Sequence, residues 1–243
     1  MKRLLFLTLM ICSCAFLAAC GSDEPTPEAP AAQEAPAAQE APAAQETPAD
    51  DKPTQSGAVV NSRLYEAEDG VLKKASTATD SITVGDEITS IDPFAFKDCT
   101  NLKKVVISDS VTSIGEYAFS GCTALETVQF GSGVTSLGKN AFNGCTGLRM
   151  ITLPANLGVL EDSTFMGCSS LVTATLPDSL TSIGNYVFQD CKSLKKLTIP
   201  ASVTSVGNSS FTNCTSLQSV EVAAGSAADD ASLYPAETVL VAK

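Results

Sequence analysis

The chain has 243 residues, a formal net charge of −12 and nine cysteines, and it contains neither histidine nor tryptophan. Without histidine there is no Ser-His-Asp or Cys-His nucleophile pair, no imidazole ligand for zinc, and no side chain that normally titrates near neutral pH. A strongly acidic chain is also unsuited to binding the phosphates of nucleic acid, so we expect no nucleic-acid partner. A hydrophobic content of 44% is ample for a packed core.

Residues 1–20 have the organisation of an export signal. Lys2 and Arg3 precede an apolar run of 16 residues from Leu4 to Ala19, which is shorter than the roughly 20 residues that a transmembrane helix needs. The run ends at Leu17-Ala18-Ala19-Cys20, which resembles a bacterial lipobox. The resemblance implies cleavage before Cys20 and attachment of lipid to its thiol, so we predict an exported protein held at the outer membrane through Cys20. A transmembrane anchor is the alternative.

The next four residues, Gly21 to Glu24, carry a short acidic cluster. This cluster resembles the surface-export signal of lipoproteins in the Bacteroidetes and implies a surface-exposed protein. The alternative is that Asp23 and Glu24 simply begin an acidic linker, which leaves a periplasm-facing protein open.

Residues 21–57 form the predicted linker. The sequence EAPAAQ occurs three times in tandem from Glu28 to Gln45 and contains nothing to bury. Proline at every sixth residue interrupts a helix and favours an extended chain, and the glutamates repel one another. At ~3.1 Å per residue such a tether would reach on the order of 100 Å, enough to carry a folded domain away from a membrane.

The rest of the chain contains an internal repeat of 23 residues. Phenylalanine recurs at this interval in six units, each time followed by cysteine three residues later, at Phe96 and Cys99, Phe119 and Cys122, Phe142 and Cys145, Phe165 and Cys168, Phe188 and Cys191, and Phe211 and Cys214. A leucine column that begins at Leu102 and an apolar column that begins at Ile91 keep the same register. Units too small to fold alone become stable by stacking, so this repeat predicts a solenoid.

Each unit predicts a short strand followed by turns. Val128 and Phe130 alternate with polar residues, which is the period of a half-buried strand. Residues 111–115 predict a second short extended stretch that turns at Gly115. Tyr117-Ala118-Phe119 leaves room for no more than a helical turn.

Caps are expected at both ends of the solenoid. Residues 63–72, around Glu68-Asp69-Gly70, predict a hairpin with a glycine turn, and residues 239–241 predict a closing strand. In the fourth unit, Glu161, Thr164 and Ala174 depart from the pattern, and we expect a local irregularity there.

The repeat resembles the leucine-rich repeats of the BspA-like family, also known from Treponema surface proteins. The resemblance covers residues 82–222 and rests on units such as Leu194 to Pro200 followed by Val203 to Gly207. It implies an α/β right-handed leucine-rich repeat solenoid with a parallel β-sheet face and short helical turns. The predicted domains are an N-terminal cap with the first strand at 58–87, six repeats at 88–225, and a C-terminal cap at 226–243.

The six repeat cysteines invite two interpretations. An exported protein with evenly spaced cysteines suggests disulfides, and stacked coils ~4.8 Å apart lie within reach of a disulfide. Parallel Cβ directions make the disulfide torsion difficult. In the family that the repeat resembles, this side chain faces the interior and satisfies backbone groups of the turn. We therefore predict six free, buried thiols.

Neither a nucleotide nor a metal site is expected. Residues 133–139 have the glycine and lysine spacing of a phosphate-binding loop, but Asn140 stands where serine or threonine would hold magnesium. No EF-hand loop or calcium-binding nonapeptide occurs. We therefore predict no metal site and no cofactor.

The outward positions of the repeated strand are the candidate binding face. They are Lys104, Val106, Thr127, Gln129, Met150, Thr152, Thr173, Thr175, Lys196, Thr198, Ser219 and Glu221. One carboxylate among twelve residues does not supply the pair that glycoside hydrolysis needs. The set predicts a flat, hydroxyl-rich ribbon for a protein or glycan, and its lack of aromatics favours weak or multivalent binding. The alternative is that threonine and valine occur there because they favour strands.

The family resemblance supplies a functional expectation, because BspA-like proteins are surface proteins and some are adhesins for extracellular matrix proteins or other cells. Our leading hypothesis is a lipid-anchored module for adhesion or recognition that binds a protein, such as a matrix protein, or a glycan. The alternatives are a glycan-capturing accessory lipoprotein and a non-binding structural protein of the envelope. An enzyme is not expected.

Overall fold

The computed structural model describes residues 59–61 and 64–242. The predicted signal peptide with Cys20 and the linker at 21–57 lie outside the described residues. Between residues 64 and 242 the chain forms a solenoid in which each 23-residue coil contributes one longer strand and one two-residue strand. No helix of this part of the chain is long and apolar enough to cross a membrane.

The described residues form 17 strands. The first three belong to the N-terminal cap and are β1 (Val59–Asn61), β2 (Tyr65–Glu68) and β3 (Val71–Ala75). The longer strands of the coils, with the closing strand, are β4 (Ser81–Val84), β6 (Lys104–Ile107), β8 (Thr127–Gln129), β10 (Met150–Thr152), β12 (Thr173–Thr175), β14 (Lys196–Thr198), β16 (Ser219–Val222) and β17 (Val239–Ala242). The two-residue strands are β5 (Ser90–Ile91), β7 (Ser113–Ile114), β9 (Ser136–Leu137), β11 (Val159–Leu160), β13 (Ser182–Ile183) and β15 (Ser205–Val206).

Parallel pairing between coils builds two ladders. The first ladder contains β4-β6-β8 and β10-β12-β14-β16-β17, and the second contains β1-β2-β3-β5-β7-β9 and β11-β13-β15. Within the repeats, paired residues are 23 positions apart, as Lys104 and Thr127 are, and Met150 and Thr173. The 23-residue period read from the sequence is therefore the structural period of the fold.

The core lies between the two ladders and the turns. In β6, Val105 and Ile107 point inward and are buried, whereas Lys104 is exposed. The six repeat phenylalanines are fully buried and stack in one column, with ring centroids 4.4 to 5.8 Å apart in successive coils. Tyr234 ends the column, with its ring 4.8 Å from that of Phe211.

The predicted short helical turns are not found, because the turn segments form hydrogen-bonded turns instead. In one coil, the N–H groups of Tyr117, Phe119 and Gly121 donate to carbonyl oxygens of the following coil at 2.7 to 2.9 Å. The intervening N–H groups donate within their own coil to the carbonyl three residues earlier. Tyr117 and Gly121 have positive φ angles of 54° and 75°, and such residues interrupt a right-handed helix. Among the described residues, the only helix is a 3-10 helix at Ala231–Leu233.

Both ends of the described solenoid carry extra strands. At the N-terminal end, β2 and β3 form an antiparallel hairpin that turns at Asp69-Gly70, as the sequence predicts. The Tyr65 hydroxyl donates to Glu87 Oε1 at 2.6 Å and accepts from the Gly85 N–H, which attaches the hairpin to the next coil. At the other end, β17 pairs in parallel with β16.

The expected irregularity lies partly outside the fourth unit. Both ladders are interrupted at the same level, between β8 and β10 and between β9 and β11. In the fourth unit, Ala174 lies in β12, whose pairing with β14 is reduced to one residue pair, Thr173 with Lys196, so part of the expected irregularity is found there. Phe130 follows β8, where other coils have an aliphatic residue, and its partly buried ring packs edge-on against Phe142 at 5.9 Å. The interruption of the first ladder lies next to this ring.

The six repeat thiols are free and buried. From the second unit onward, each Sγ donates to the carbonyl oxygen of the phenylalanine in the preceding coil at 3.0 to 3.3 Å, and the donors are Cys122, Cys145, Cys168, Cys191 and Cys214. Burial raises the pKa of Cys122 and Cys214 to about 12 and that of Cys145 and Cys168 well above the ordinary value of 9.0. The column therefore holds protonated thiols that act as hydrogen-bond donors.

The stacked phenylalanines predict a large cost for truncating a central ring. Phe142 packs between Phe119 and Phe165, so Phe142→Ala should lower the free energy of unfolding by about 3 to 5 kcal/mol. Urea denaturation of residues 21–243 measures this loss. Met150→Ala is the control, because its side chain is 69% exposed and its removal should change stability by less than about 0.5 kcal/mol. Equal effects of the two substitutions would contradict the packing described here.

The thiol column predicts a loss of stability at alkaline pH. A thiol of the unfolded chain ionises near its ordinary pKa of 9.0, whereas burial keeps Cys122 protonated to about pH 12. Above pH 9 the unfolded state therefore binds fewer protons than the folded state, and the free energy of unfolding falls by up to about 1.4 kcal/mol per pH unit for each thiol. Urea midpoints between pH 8 and 10 under reducing conditions measure this slope.

The double substitution Cys145→Ser with Cys168→Ser is the matched comparison, because serine keeps a hydroxyl donor but does not ionise in this range. Its alkaline slope should be shallower than that of the unsubstituted chain. Identical slopes would show that groups other than the thiols cause the loss.

Candidate binding face

The outward side chains of the first ladder, referred to below as the strand face, include all twelve predicted binding residues. The six first positions are Lys104, Thr127, Met150, Thr173, Lys196 and Ser219, and the six third positions are Val106, Gln129, Thr152, Thr175, Thr198 and Glu221. Nine of the twelve are exposed, and the three that are partly buried are Val106, Ser219 and Glu221. The interruption between β8 and β10 divides the set, so four residues lie on one side of it and eight on the other.

Two open clefts lie on the strand face. A cleft of about 510 Å³ lies over β12, β14 and β16 and is lined by Thr173, Thr175, Lys196, Thr198 and Glu221, among other residues. A second cleft, of about 900 Å³, lies at the interruption and is lined by residues that include Gln129, Phe130, Arg149 and Met150. Phe130, which follows β8 at the interruption, thus lines this part of the surface.

Polar groups of the smaller cleft are partly organised by their neighbours. The Thr198 hydroxyl donates to Glu221 Oε2 at 3.1 Å across adjacent strands. Thr173 and Thr175 present further hydroxyls one strand away, and Lys196 supplies a cation. This arrangement offers hydrogen-bond donors and acceptors to a polar ligand.

Cations predominate at one edge of the strand face. The positions immediately before and at the start of the longer strands carry five exposed cations, Lys103, Lys104, Arg149, Lys195 and Lys196, and two exposed carboxylates, Asp80 and Glu126. Acidic residues such as Asp109 and Asp178 follow the opposite ends of the strands. Neither ion pair between residues 64 and 242, Lys73–Asp92 or Lys139–Asp162, involves any of the five cations.

Three of these cations were missed by the sequence reasoning, because Lys103, Arg149 and Lys195 lie one residue before the strands. A usable signal was present in the sequence. The three residues occupy one repeat column at intervals of 46 residues, which is two coils.

Exposed aromatic side chains lie on the turns rather than on the strand face. The rings of Phe94 and Tyr117 stack with centroids 5.3 Å apart, and the Lys97 ammonium lies 5.5 Å from the centre of the Phe94 ring. Phe94 is 51% exposed, and Tyr186 occupies the same repeat column four coils later. These residues lie outside the strand positions from which the candidate binding face was predicted.

The part of the chain that the structure describes contains no group of three or more metal-ligating side chains that could hold an ion. Residues 133–139, which have the spacing of a phosphate-binding loop, lie in a turn and the short strand β9. A helix following such a loop supplies the N–H groups that bind phosphate in P-loop proteins. The chain continues here through another turn of the solenoid instead.

Comparison with protein families finds a match to the BspA-type leucine-rich repeat region, in six copies over residues 72–192 and 147–228. Comparison with curated proteins finds no match.

Among solved structures, a leucine-rich cell surface protein from Faecalibacterium prausnitzii is 26% identical, with a TM-score of 0.50 over 69% of this chain. The match covers 53% of that protein, so this chain spans about half of its length. A leucine-rich repeat protein of T. pallidum is 25% identical, with a TM-score of 0.45 over 70% of each chain.

The family match covers more than half of the chain and coincides with the coils of the solenoid. The repeated phenylalanine, cysteine and leucine columns account for the match, because they form the core of every coil. This chain is a member of the BspA-type leucine-rich repeat family.

Proposed function

We propose that this protein is a lipid-anchored recognition or adhesion protein of a bacterial surface, and that the strand face binds a protein or a glycan. The observation that carries the proposal is the contrast between the two sides of the same strands. Inward positions repeat the same apolar types from coil to coil, whereas the first outward position changes from lysine to threonine, methionine and serine. Core packing explains the inward residues but places no demand on the outward ones, which are free to serve a ligand.

Family membership and structural similarity support the same proposal. The F. prausnitzii structure is described as that of a cell surface protein. Stacked repeats give a solenoid an extended surface with which to contact large ligands. Because this chain spans only about half of that protein, a surface location here rests on the predicted lipobox and linker as well.

The proposed role is binding rather than catalysis. Leucine-rich repeat solenoids are typically binding scaffolds, and this chain has no histidine to act as a general base near neutral pH. Glu221, the carboxylate among the twelve outward residues, accepts a hydrogen bond from Thr198. The chemistry of this surface is therefore that of recognition.

A glycan-capturing accessory lipoprotein is the second candidate, and the smaller cleft favours it. Its lining combines threonine hydroxyls with Lys196, Asp178 and Glu221. Such a mixture of donors and acceptors suits the hydroxyl groups of a sugar.

A bulky residue at the centre of the strand face tests the proposed binding surface. Thr173 is exposed on the central strand β12, so Thr173→Trp should obstruct the face and weaken binding at least about tenfold. Residues 21–243 would be applied to arrays of matrix proteins and glycans. Thr204→Trp is the matched control, because Thr204 is equally exposed but precedes β15 of the second ladder. Ligand binding that survives Thr173→Trp unchanged would place the binding surface elsewhere.

Replacement of Cys20 tests the proposed anchor. Cys20→Ala removes the thiol that the lipobox would lipidate, so incorporation of labelled palmitate and retention in the membrane fraction should be lost. Cys14→Ala should keep both, because Cys14 would leave with the signal peptide. Equal labelling of both variants would exclude Cys20 as the anchor. Protease treatment of intact cells should then remove the repeat domain from the surface, whereas protection would indicate a periplasmic orientation.

A further inference from the structure

We propose that the strand face binds a linear anionic polysaccharide that lies across the strands along one edge. This edge, called the basic edge below, consists of Lys103, Lys104, Arg149, Lys195 and Lys196. The inference rests on the proposed binding role of the strand face and names the class of its ligand.

The basic edge concentrates positive charge in an otherwise acidic protein. It contains five of the ten lysines and arginines between residues 64 and 242, although the whole chain has a net charge of −12. All five side chains are exposed, and neither ion pair in the described part of the chain involves them. Their ammonium and guanidinium groups are therefore available to an anionic ligand.

The opposite ends of the strands set the direction of the ligand. Asp109 follows β6 and Asp178 follows β12. Glu221 occupies the third position of β16, the last of the six strands that carry the candidate residues. A three-residue strand is only about 10 Å long, so a polyanion running along the strands would soon meet these carboxylates. A polyanion lying across the strands would contact the five cations and meet a single carboxylate among them, that of Glu126.

The basic edge has a spacing of two coils. Lys103, Arg149 and Lys195 follow one another at 46-residue intervals, and across the paired strands β10, β12 and β14, from Arg149 to Lys195, two strand spacings are about 9.6 Å. The intervening coils present threonine hydroxyls at the first outward position, Thr127 and Thr173. In the column of Lys103, Arg149 and Lys195 itself, the intervening residues are Glu126 and Val172. A polysaccharide with acidic groups on every disaccharide repeats its charges over a similar length.

Other polyanions fit this pattern less well. Backbone charges of one DNA strand recur at about 3.4 Å, which is closer than the coils can match. Alternate side chains of an extended acidic peptide recur at roughly 6.6 Å, which does not divide evenly into the spacing of the cations. A planar anionic membrane would also contact the acidic ends of the strands, about 10 Å away.

Affinity for sulfated oligosaccharides of defined length tests the inference. Heparin fragments should bind residues 21–243, and the logarithm of the binding constant should fall linearly with the logarithm of salt concentration. Lys195→Ala with Lys196→Ala should weaken binding about tenfold and reduce the salt slope by about one for each lysine removed. Glu126→Gln should strengthen binding, because Glu126 is the acidic residue between Lys103 and Arg149 in their column.

Lys74→Ala with Lys97→Ala is the matched control, since it makes the same change in net charge away from the basic edge and should leave binding unchanged. If the control lost as much heparin affinity as the Lys195 and Lys196 variant, overall charge would explain the loss, and the inference would be overturned. Polyglutamate or duplex DNA binding as tightly as the heparin fragments would overturn the choice of a polysaccharide. This inference would be overturned, and the proposed function left intact, by a combination of two results. Heparin would not bind at all, and another ligand found on the arrays would bind the unsubstituted protein but not the Thr173→Trp variant.

Discussion

The hydrogen bonding of the turns is the constraint on which the rest of the molecule depends. Every second N–H group in a turn donates to the next coil, while the groups between them donate within their own coil. This alternation requires left-handed backbone at fixed positions, including the bulky residues Phe94 and Tyr117. A buried N–H group without a partner costs about 1 to 3 kcal/mol, so a one-residue insertion in any coil would leave several such groups unpaired. The unbroken 23-residue period follows from this requirement.

The same constraint separates structural positions from functional ones. A fixed register aligns each phenylalanine with the next, and each repeat thiol from Cys122 onward with a carbonyl oxygen of the preceding coil. These columns cannot vary without loss of packing or of a hydrogen bond. Outward strand positions carry no such demand, and the differences among Lys104, Thr127 and Met150 show that the coils use this freedom. The fold thus presents variable side chains at multiples of one coil spacing.

Much of this architecture could be predicted from the sequence, because each column of repeated residue types corresponds to one position in the packed core. The buried phenylalanines, the free thiols facing the interior and the hairpin at Asp69-Gly70 all follow from periodicity and turn chemistry. Propensity within a single unit was a weaker guide. Tyr117-Ala118-Phe119 suits a helical turn locally, but bonding to the next coil overrides this preference, and that bonding depends on a neighbour 23 residues away.

Features that depend on one unusual side chain were the hardest to foresee. Phe130 satisfies the apolar pattern of its column, so nothing in the pattern distinguishes it from the aliphatic residues of other coils. In the structure its ring packs edge-on against Phe142 beside the interruption of the first ladder and lines the larger cleft, and none of this follows from the repeat pattern. The cations of the basic edge were partly hidden for a different reason, since Lys103 and Arg149 lie just outside the strands and alternation says nothing about them.

The net charge of this protein does not describe the charge of each part of its surface. The value of −12 argues against a ligand that surrounds the whole molecule, but it does not describe the charges that a thin polymer contacts at one edge. At physiological ionic strength the Debye length is about 8 Å, so carboxylates at the far ends of the strands are largely screened from a ligand at Lys104 or Lys196. The cations in direct contact are screened much less. A protein can therefore be acidic overall and still present a surface for anions, provided that the fold holds like charges in one row, as the coils of this solenoid do.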